Sequence, residues 1–160
     1  MRTTLSAVCL ILLLPVSAKA QNAKPDLSGT WNLDVAKSDF AGAPAPDSIV
    51  HVIEHKDPNL KITTTQKGQQ GELTNTRNLT TDGKESVNKM RTMAGEQDVK
   101  STTTWNGSKL ANAFKLDIQG SPIDISETWE LSEGGKVLSI ARDIQTPQGP
   151  FHQVYVFKKQ

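Results

Sequence analysis

The sequence is poor in cysteine. Its 160 residues include a single cysteine, Cys9, which lies in an apolar stretch near the N-terminus and too early to accept a lipid anchor. Without that stretch the chain has no thiol, which excludes disulfide bonds, a cysteine nucleophile and thiolate metal sites. Its stability must therefore come from a hydrophobic core, and about 140 residues are enough to build one.

Long apolar runs are scarce as well. Arg2 precedes an apolar stretch over residues 5–16, and Ala18-Lys19-Ala20 has the small-x-small pattern of a signal peptidase site. The stretch is shorter than the roughly 20 residues that a membrane-spanning helix needs. The sequence therefore predicts a signal peptide over residues 1–20, cleaved after Ala20, and one domain over residues 21–160 that is secreted or periplasmic.

An excess of charge of one sign is also missing. Without Arg2 and Lys19, 16 of the 18 basic residues remain against 17 acidic residues, so the mature chain has a formal charge of −1. Its charges are well mixed along the chain. This composition favours neither nucleic acid nor an anionic membrane surface as a partner. We expect a monomer with no membrane segment after cleavage.

No long helical pattern is present, and apolar and polar residues alternate with a period of two, which is typical of strands. The alternation predicts ten strands, over residues 28–34, 48–55, 60–67, 72–80, 85–92, 98–105, 108–119, 123–131, 136–145 and 151–158. Between residues 35 and 47 we expect a loop rich in Ala, Gly and Pro, with one helical turn over residues 36–39.

The breaks between the predicted strands are short and rich in turn residues. Asn106-Gly107 and Asp82-Gly83 are typical of two-residue hairpins, because these residues tolerate the positive φ angles of type I′ turns. Tight connections make successive strands antiparallel. An open meander of this length leaves two exposed edges, which closure removes. The sequence thus predicts an all-β, antiparallel up-and-down meander of about eight to ten strands closed into a β-barrel.

Alternation also predicts which side chains face the interior, and several of them are polar. They are Asn75, Arg77, Asn112, Glu127, Arg142, Gln153 and Tyr155. A buried charge needs a partner, water or a ligand. Two interpretations remain open: these groups surround a ligand cavity, or Arg77 or Arg142 pairs with Glu127 in a filled core.

The stretch Leu27-Ser28-Gly29-Thr30-Trp31-Asn32-Leu33, followed by Asp39-Phe40, resembles the first strand and turn of the calycins, the group of lipocalins and fatty-acid-binding proteins. The whole mature chain resembles the lipocalin-like domains of bacterial secreted proteins. The resemblance implies that Trp31 of the Gly29-x-Trp31 motif closes one end of the barrel under a basic residue from a late strand. By its position in the sequence, Arg142 is the candidate for that residue.

The chain departs from the calycins in three places. The last strand carries Gln153-Val154-Tyr155 where fatty-acid-binding proteins have Arg-x-Tyr, so the cation that holds a fatty-acid carboxylate is absent there. Residues 35–47 are too few for the helical lid of those proteins. The chain also lacks the helix that follows a lipocalin barrel.

The sequence carries no motif for a known enzymatic reaction. It has no Gly-x-Ser-x-Gly elbow, phosphate-binding glycine loop or dinucleotide fingerprint. His51 and His55 lie about 13 Å apart on a strand and cannot share one metal ion. We therefore expect no enzymatic activity, cofactor or metal.

Two functions remain as hypotheses. In the first, the barrel binds a small apolar or amphipathic ligand, with Arg77, Asn112, Glu127, Trp129 and Tyr155 at the site and Gly29, Trp31 and Arg142 closing the barrel. In the second, the barrel is filled and acts through its surface loops, as an envelope accessory, an inhibitor or a protein-interaction module. The loop over residues 35–47 is the expected docking element, because Pro44 and Pro46 reduce the cost of ordering it.

Overall fold

A computed structural model describes residues 24–69, 71–92, 95–118 and 120–160. The expected signal peptide and its cleavage site lie outside these ranges. The described residues form one 3₁₀ turn and ten strands, which are β1 (Gly29–Leu33), β2 (Ser48–Lys56), β3 (Asn59–Gly68), β4 (Gly71–Thr80), β5 (Asp82–Thr92), β6 (Gly95–Asn106), β7 (Lys109–Ile118), β8 (Ser121–Ser132), β9 (Val137–Thr146) and β10 (Gly149–Lys159). The 3₁₀ turn covers Val35–Lys37. No helix in the described ranges is long and apolar enough to cross a membrane.

The strands form one antiparallel sheet in which nearly all consecutive strands pair. β1 pairs with both β2 and β10, so the first and last strands join and the sheet curls into a barrel. The predicted all-β meander of ten strands is confirmed, and each strand begins and ends within three residues of its predicted bounds. The predicted helical turn in the first loop is a short 3₁₀ turn.

One end of the barrel, which we call the closed end, contains Leu27 and the turns that precede β3, β5, β7 and β9. A large apolar cluster fills it; the members of the cluster include Leu27, Trp31, Leu60, Leu79, Leu110 and Leu138. The Trp31 side chain is fully buried, and its indole Nε1–H donates a hydrogen bond to the Leu27 carbonyl at 2.9 Å. The first strand is therefore anchored to the core through its tryptophan.

The basic residue over Trp31 is Lys159, not Arg142. The Lys159 Nζ lies 5.2 Å from the Trp31 ring centroid, whereas the Arg142 guanidinium lies over Tyr155 in the interior. The expectation that Arg142 closes the barrel is wrong, because Arg142 pairs with Gln153 in the middle of β10, whereas Trp31 pairs with Lys159 at its end. Gly29 belongs to the same arrangement: it has a φ of +135°, and a Cβ there would lie 2.5 Å from the Lys159 Cε.

The sheet is interrupted between β4 and β5, which form no backbone ladder. The predicted Asp82-Gly83 hairpin is therefore wrong. Asp82 already belongs to β5, and the register of β5 against β6 shifts between Asp82 and Glu85, so Gly83 (φ +83°) lies at an irregularity within a strand.

Side chains bridge this interruption, which we call the β4–β5 seam. Asn75 accepts a hydrogen bond from the Arg91 N–H (2.8 Å) and donates one to the Arg91 carbonyl (2.9 Å). Asn88 does the same with the backbone of Asn78, at 2.7 and 3.0 Å. Two asparagine side chains thus take the place of backbone partners along the seam.

Candidate ligand cavity inside the barrel

The structure brings four of the predicted site residues to one interior cavity of about 160 Å³. Arg77 of β4, Glu127 and Trp129 of β8, and Tyr155 of β10 line it, and Arg142 of β9 joins them. The fifth predicted residue, Asn112 of β7, is buried behind Glu127. Strands β4, β8, β9 and β10 supply these side chains because the inward position recurs at every second residue of a strand.

Glu127 is the centre of the polar cluster. Its Oε2 accepts hydrogen bonds from Asn112 Nδ2 (3.0 Å) and Trp129 Nε1 (3.2 Å) and lies 3.5 Å from Arg77 Nη1. Its Oε1 lies 3.1 Å from Arg142 Nε. Both interpretations of the sequence are therefore partly realised: the arginines pair with Glu127, and a cavity remains beside them.

Glu127 is ionised despite its burial. Burial is the largest single influence and opposes ionisation, but Arg77, Arg142 and the two hydrogen-bond donors together outweigh it, so the pKa of Glu127 lies below its usual 4.5. One carboxylate thus faces two guanidinium groups. Among the described residues lining the cavity, no other side chain carries a charge at neutral pH, and the site has an excess of one positive charge.

Arg142 has an incomplete set of partners. Its Nε is buried and, although close to Glu127, has no hydrogen bond in acceptable geometry within the described chain. The guanidinium lies 5.5 Å from the Tyr155 ring centroid. A buried N–H without an acceptor is costly, so this atom can take a further acceptor inside the cavity.

Tyr155 connects the cavity to the loop after β1. Its hydroxyl donates to Gln153 Oε1 (3.2 Å), and Gln153 Nε2 donates to the Phe40 carbonyl (3.1 Å). The Phe40 ring packs edge-on against Tyr155, with the centroids 5.4 Å apart. Gln153 therefore positions the tyrosine and the loop.

His51 is a cavity residue that the sequence analysis did not place at the site. It is buried, its Nδ1 lies 2.8 Å from Thr64 Oγ1, and its ring packs 4.5 Å from the Phe157 ring. Burial, together with the nearby Arg77, lowers the pKa of His51 from 6.5 to about 3. His51 is thus a neutral imidazole. Its position on the apolar face of β2 was the available signal.

The remaining histidines do not join His51. The His55 side chain packs against Trp105 at the closed end, and His152 pairs with Asp143 on the outer surface. No group of three or more His, Cys, Asp or Glu side chains in the described ranges is arranged to hold a metal ion.

Apolar side chains complete the cavity and continue towards the end opposite the closed end, which we call the open end. Ile49, Phe114, Ile140 and Phe157 lie on the cavity wall. Further inward-facing apolar residues become exposed near the open end, where Ile118 and Phe151 are each 40% exposed. A polar cluster thus lies deep in the barrel, and apolar surface extends from it to the open end.

Known proteins resemble the chain in fold. No protein family and no curated protein matches it, whereas sixteen chains of solved structures do. One of these is the zebrafish ileal bile acid-binding protein in complex with cholic acid, which is 21% identical, with a TM-score of 0.54. The match covers 84% of this chain and 98% of that one. The likeness shows that the chain shares the barrel fold of that protein, the fold that the resemblance to the calycins implies.

Proposed function

We propose that this protein binds a small amphipathic molecule inside its barrel, and that it acts as a carrier or sensor of that molecule rather than as an enzyme. The ligand's polar end contacts Arg77, Arg142 and Tyr155. Its apolar part contacts Phe114, Trp129 and the wall beside them. Burial of apolar surface contributes about 25 cal/mol per Å² to binding, and the polar groups fix the orientation.

The observation that carries this proposal is the excess positive charge at an interior cavity. A barrel that acts only through its surface has no need for two inward guanidinium groups facing one carboxylate, because burying charge is costly. A ligand with an anionic group offsets that cost. The fold supports the proposal, since the neighbouring bile acid-binding protein holds cholic acid.

The direct test is native mass spectrometry of the protein purified from its own host without detergent, followed by denaturing extraction. We expect an additional discrete mass on the wild-type protein. Two matched variants show whether the bound molecule lies in the cavity. Thr64→Phe places a ring at the cavity wall. Thr65→Phe places the same ring on the outer face, where Thr65 contacts Thr74.

The additional mass should be lost in Thr64→Phe and kept in Thr65→Phe. If the wild-type protein is bare and takes up nothing from a panel of fatty acids, isoprenoids, haem and small aromatic acids, the proposal fails. In that case the outer surface and the loop over residues 35–47 become the functional regions.

We further propose that the protein works outside the cytoplasm, in the periplasm or the medium. The support is the charged, apolar and small-residue pattern of residues 1–20. The intact mass of the protein from its host, compared with that of a chain beginning at Gln21, tests this proposal. A protein that retains Met1 in the cytoplasmic fraction would contradict it.

A further inference from the structure

The size of the cavity limits the ligands that fit. Its volume of about 160 Å³ is close to that of an engineered apolar cavity of about 150 Å³ that binds benzene. Pockets for larger organic molecules usually occupy about 300–1,000 Å³. A single ring with one small substituent therefore fits within the cavity, whereas a long acyl chain or a fused-ring sterol would have to leave most of its length outside it.

Aromatic surface is concentrated at this cavity. The chain has only eight aromatic residues, and half of them, Phe114, Trp129, Tyr155 and Phe157, line this one cavity. The His51 imidazole adds a fifth ring, 6.3 Å from Trp129 and nearly parallel to it. Aromatic pairs in offset or edge-on contact gain about 0.5–1.5 kcal/mol beyond the burial of their area, so such walls favour a flat, aromatic ligand.

The charges at the cavity specify the substituent. Arg77 and Arg142 share the single carboxylate of Glu127, and the buried Arg142 Nε has no hydrogen-bond acceptor in the described chain. A second carboxylate would neutralise the excess charge and supply the missing acceptor. The planar guanidinium is well suited to a planar carboxylate, which it can hold by two parallel hydrogen bonds.

From these three observations we infer that the ligand is a single-ring aromatic carboxylate, with its carboxylate at Arg142 and Arg77 and its ring against the aromatic wall of the cavity. The inference rests on the proposed function and narrows it. It also separates this protein from the neighbouring bile acid-binding protein, whose ligand is much larger.

Isothermal titration calorimetry with three probes tests the inference. Benzoate has the predicted ring and charge, benzamide has the same shape without the charge, and palmitate has the charge on a long chain. We expect benzoate to bind with 1:1 stoichiometry, benzamide to bind about 10- to 100-fold more weakly, as for the loss of a charged hydrogen bond, and palmitate not to bind.

A matched pair of variants assigns the site. Arg142→Gln should weaken benzoate binding by about 10- to 100-fold and remove its advantage over benzamide. Arg91→Gln, the same substitution at an exposed arginine near the open end, should leave both unchanged. Circular dichroism confirms that each variant is folded; should Arg142→Gln unfold, Arg142→Lys keeps the charge and is expected to show an intermediate affinity.

The same experiments separate a failure of this inference from a failure of the proposed function. If palmitate binds with 1:1 stoichiometry and benzoate does not, the inference is overturned while the proposed binding of an amphipathic molecule stands. Equal affinities for benzoate and benzamide overturn the assignment of a carboxylate. If none of the three binds and native mass spectrometry shows a bare protein, the proposed function fails as well.

Discussion

At the scale of single residues, Trp31 makes the clearest contribution to stability. Its side chain is fully buried and its indole N–H is hydrogen-bonded to Leu27. We expect Trp31→Ala to lower the free energy of unfolding by about 3–5 kcal/mol, measured by urea denaturation followed by circular dichroism. Phe151→Ala, at a residue 40% exposed, should cost about 1 kcal/mol or less. Equal effects of the two would contradict the anchoring role of Trp31.

Glu127 should matter far more than its neighbour on the same strand. Glu127→Gln leaves two inward guanidinium groups without a counter-charge, which we expect to cost about 3–5 kcal/mol of unfolding free energy. Glu130, on the opposite face, forms an exposed ion pair with Lys109, so Glu130→Gln should cost about 1 kcal/mol or less. Denaturant titrations at neutral pH compare the two, and equal stabilities of the two variants would contradict the role of Glu127 as counter-charge to Arg77 and Arg142.

His51 should make the protein sensitive to acid. Its pKa is about 3 in the fold against 6.5 ordinarily, so between these values the unfolded chain binds a proton that the folded chain does not. Stability therefore falls as the pH drops below 6.5, by about 1.4 kcal/mol per pH unit from this group. Unfolding free energies measured between pH 6.5 and 4.5 should fall less steeply in His51→Gln.

The control for His51 is His152, which pairs with Asp143 on the outer surface. His152→Gln should leave the slope of stability against pH as in the wild type. If His51→Gln shows the wild-type slope instead, His51 is protonated in the fold and contributes a third positive charge to the cavity.

At the scale of elements, the β4–β5 seam is the feature that distinguishes this barrel from a fully laddered one. Asn88 satisfies both backbone groups of Asn78, so Asn88→Ala should leave them without partners at a cost of about 1–3 kcal/mol. Amide hydrogen exchange at Asn78 should become faster. Thr76→Ala, which removes only the outer contact with Thr63, serves as the control, and unchanged exchange at Asn78 in Asn88→Ala would contradict the bridging role.

Most elements could be predicted from the sequence because apolar and polar residues alternate along each strand and turn-forming residues separate the strands. The seam could not be predicted, because this alternation shows which side chains face inward but not which strands form backbone hydrogen bonds with each other. Asp82-Gly83 is a good hairpin pair locally, but a turn can only make a hairpin if the strands on either side pair. At β4 and β5 they do not, and Asn75, one of the two asparagines that compensate, is predicted from the sequence only as an inward polar residue.

The site was predictable to a similar degree. Alternation placed Arg77, Glu127 and Tyr155 on inward faces, and the structure brings them to one cavity. The partner of Trp31 was not predictable, because Arg142 and Lys159 are both basic residues of late strands and only the register of β1 against β10 places Lys159 beside the tryptophan. His51 was missed as a cavity residue because a buried histidine is more often part of a core than of a site.

At the scale of the whole molecule, the apolar side chains of the barrel form two clusters. The closed end holds the larger apolar cluster with Trp31, and a second, smaller cluster around Val99, Phe114, Ile125 and Ile144 lies on the strands beside the cavity. Trp129, Ile140 and Phe157 belong to the larger cluster and also line the cavity, so the core of the closed end continues directly into the cavity wall. This arrangement is consistent with a binding protein in which only a few polar groups determine specificity.

The most direct test of the central claim, that a ligand occupies the interior, uses the three tryptophans as reporters. Their indole N–H groups bond to Leu27 at the closed end (Trp31), to Asp57 near the surface (Trp105) and to Glu127 at the cavity (Trp129). We would record ¹H–¹⁵N spectra of the indoles during additions of benzoate and then of palmitate. The account predicts that the Trp129 signal shifts in a saturable manner with benzoate, while those of Trp31 and Trp105 do not. Saturable binding that moves only Trp105, or leaves Trp129 unchanged, would contradict it.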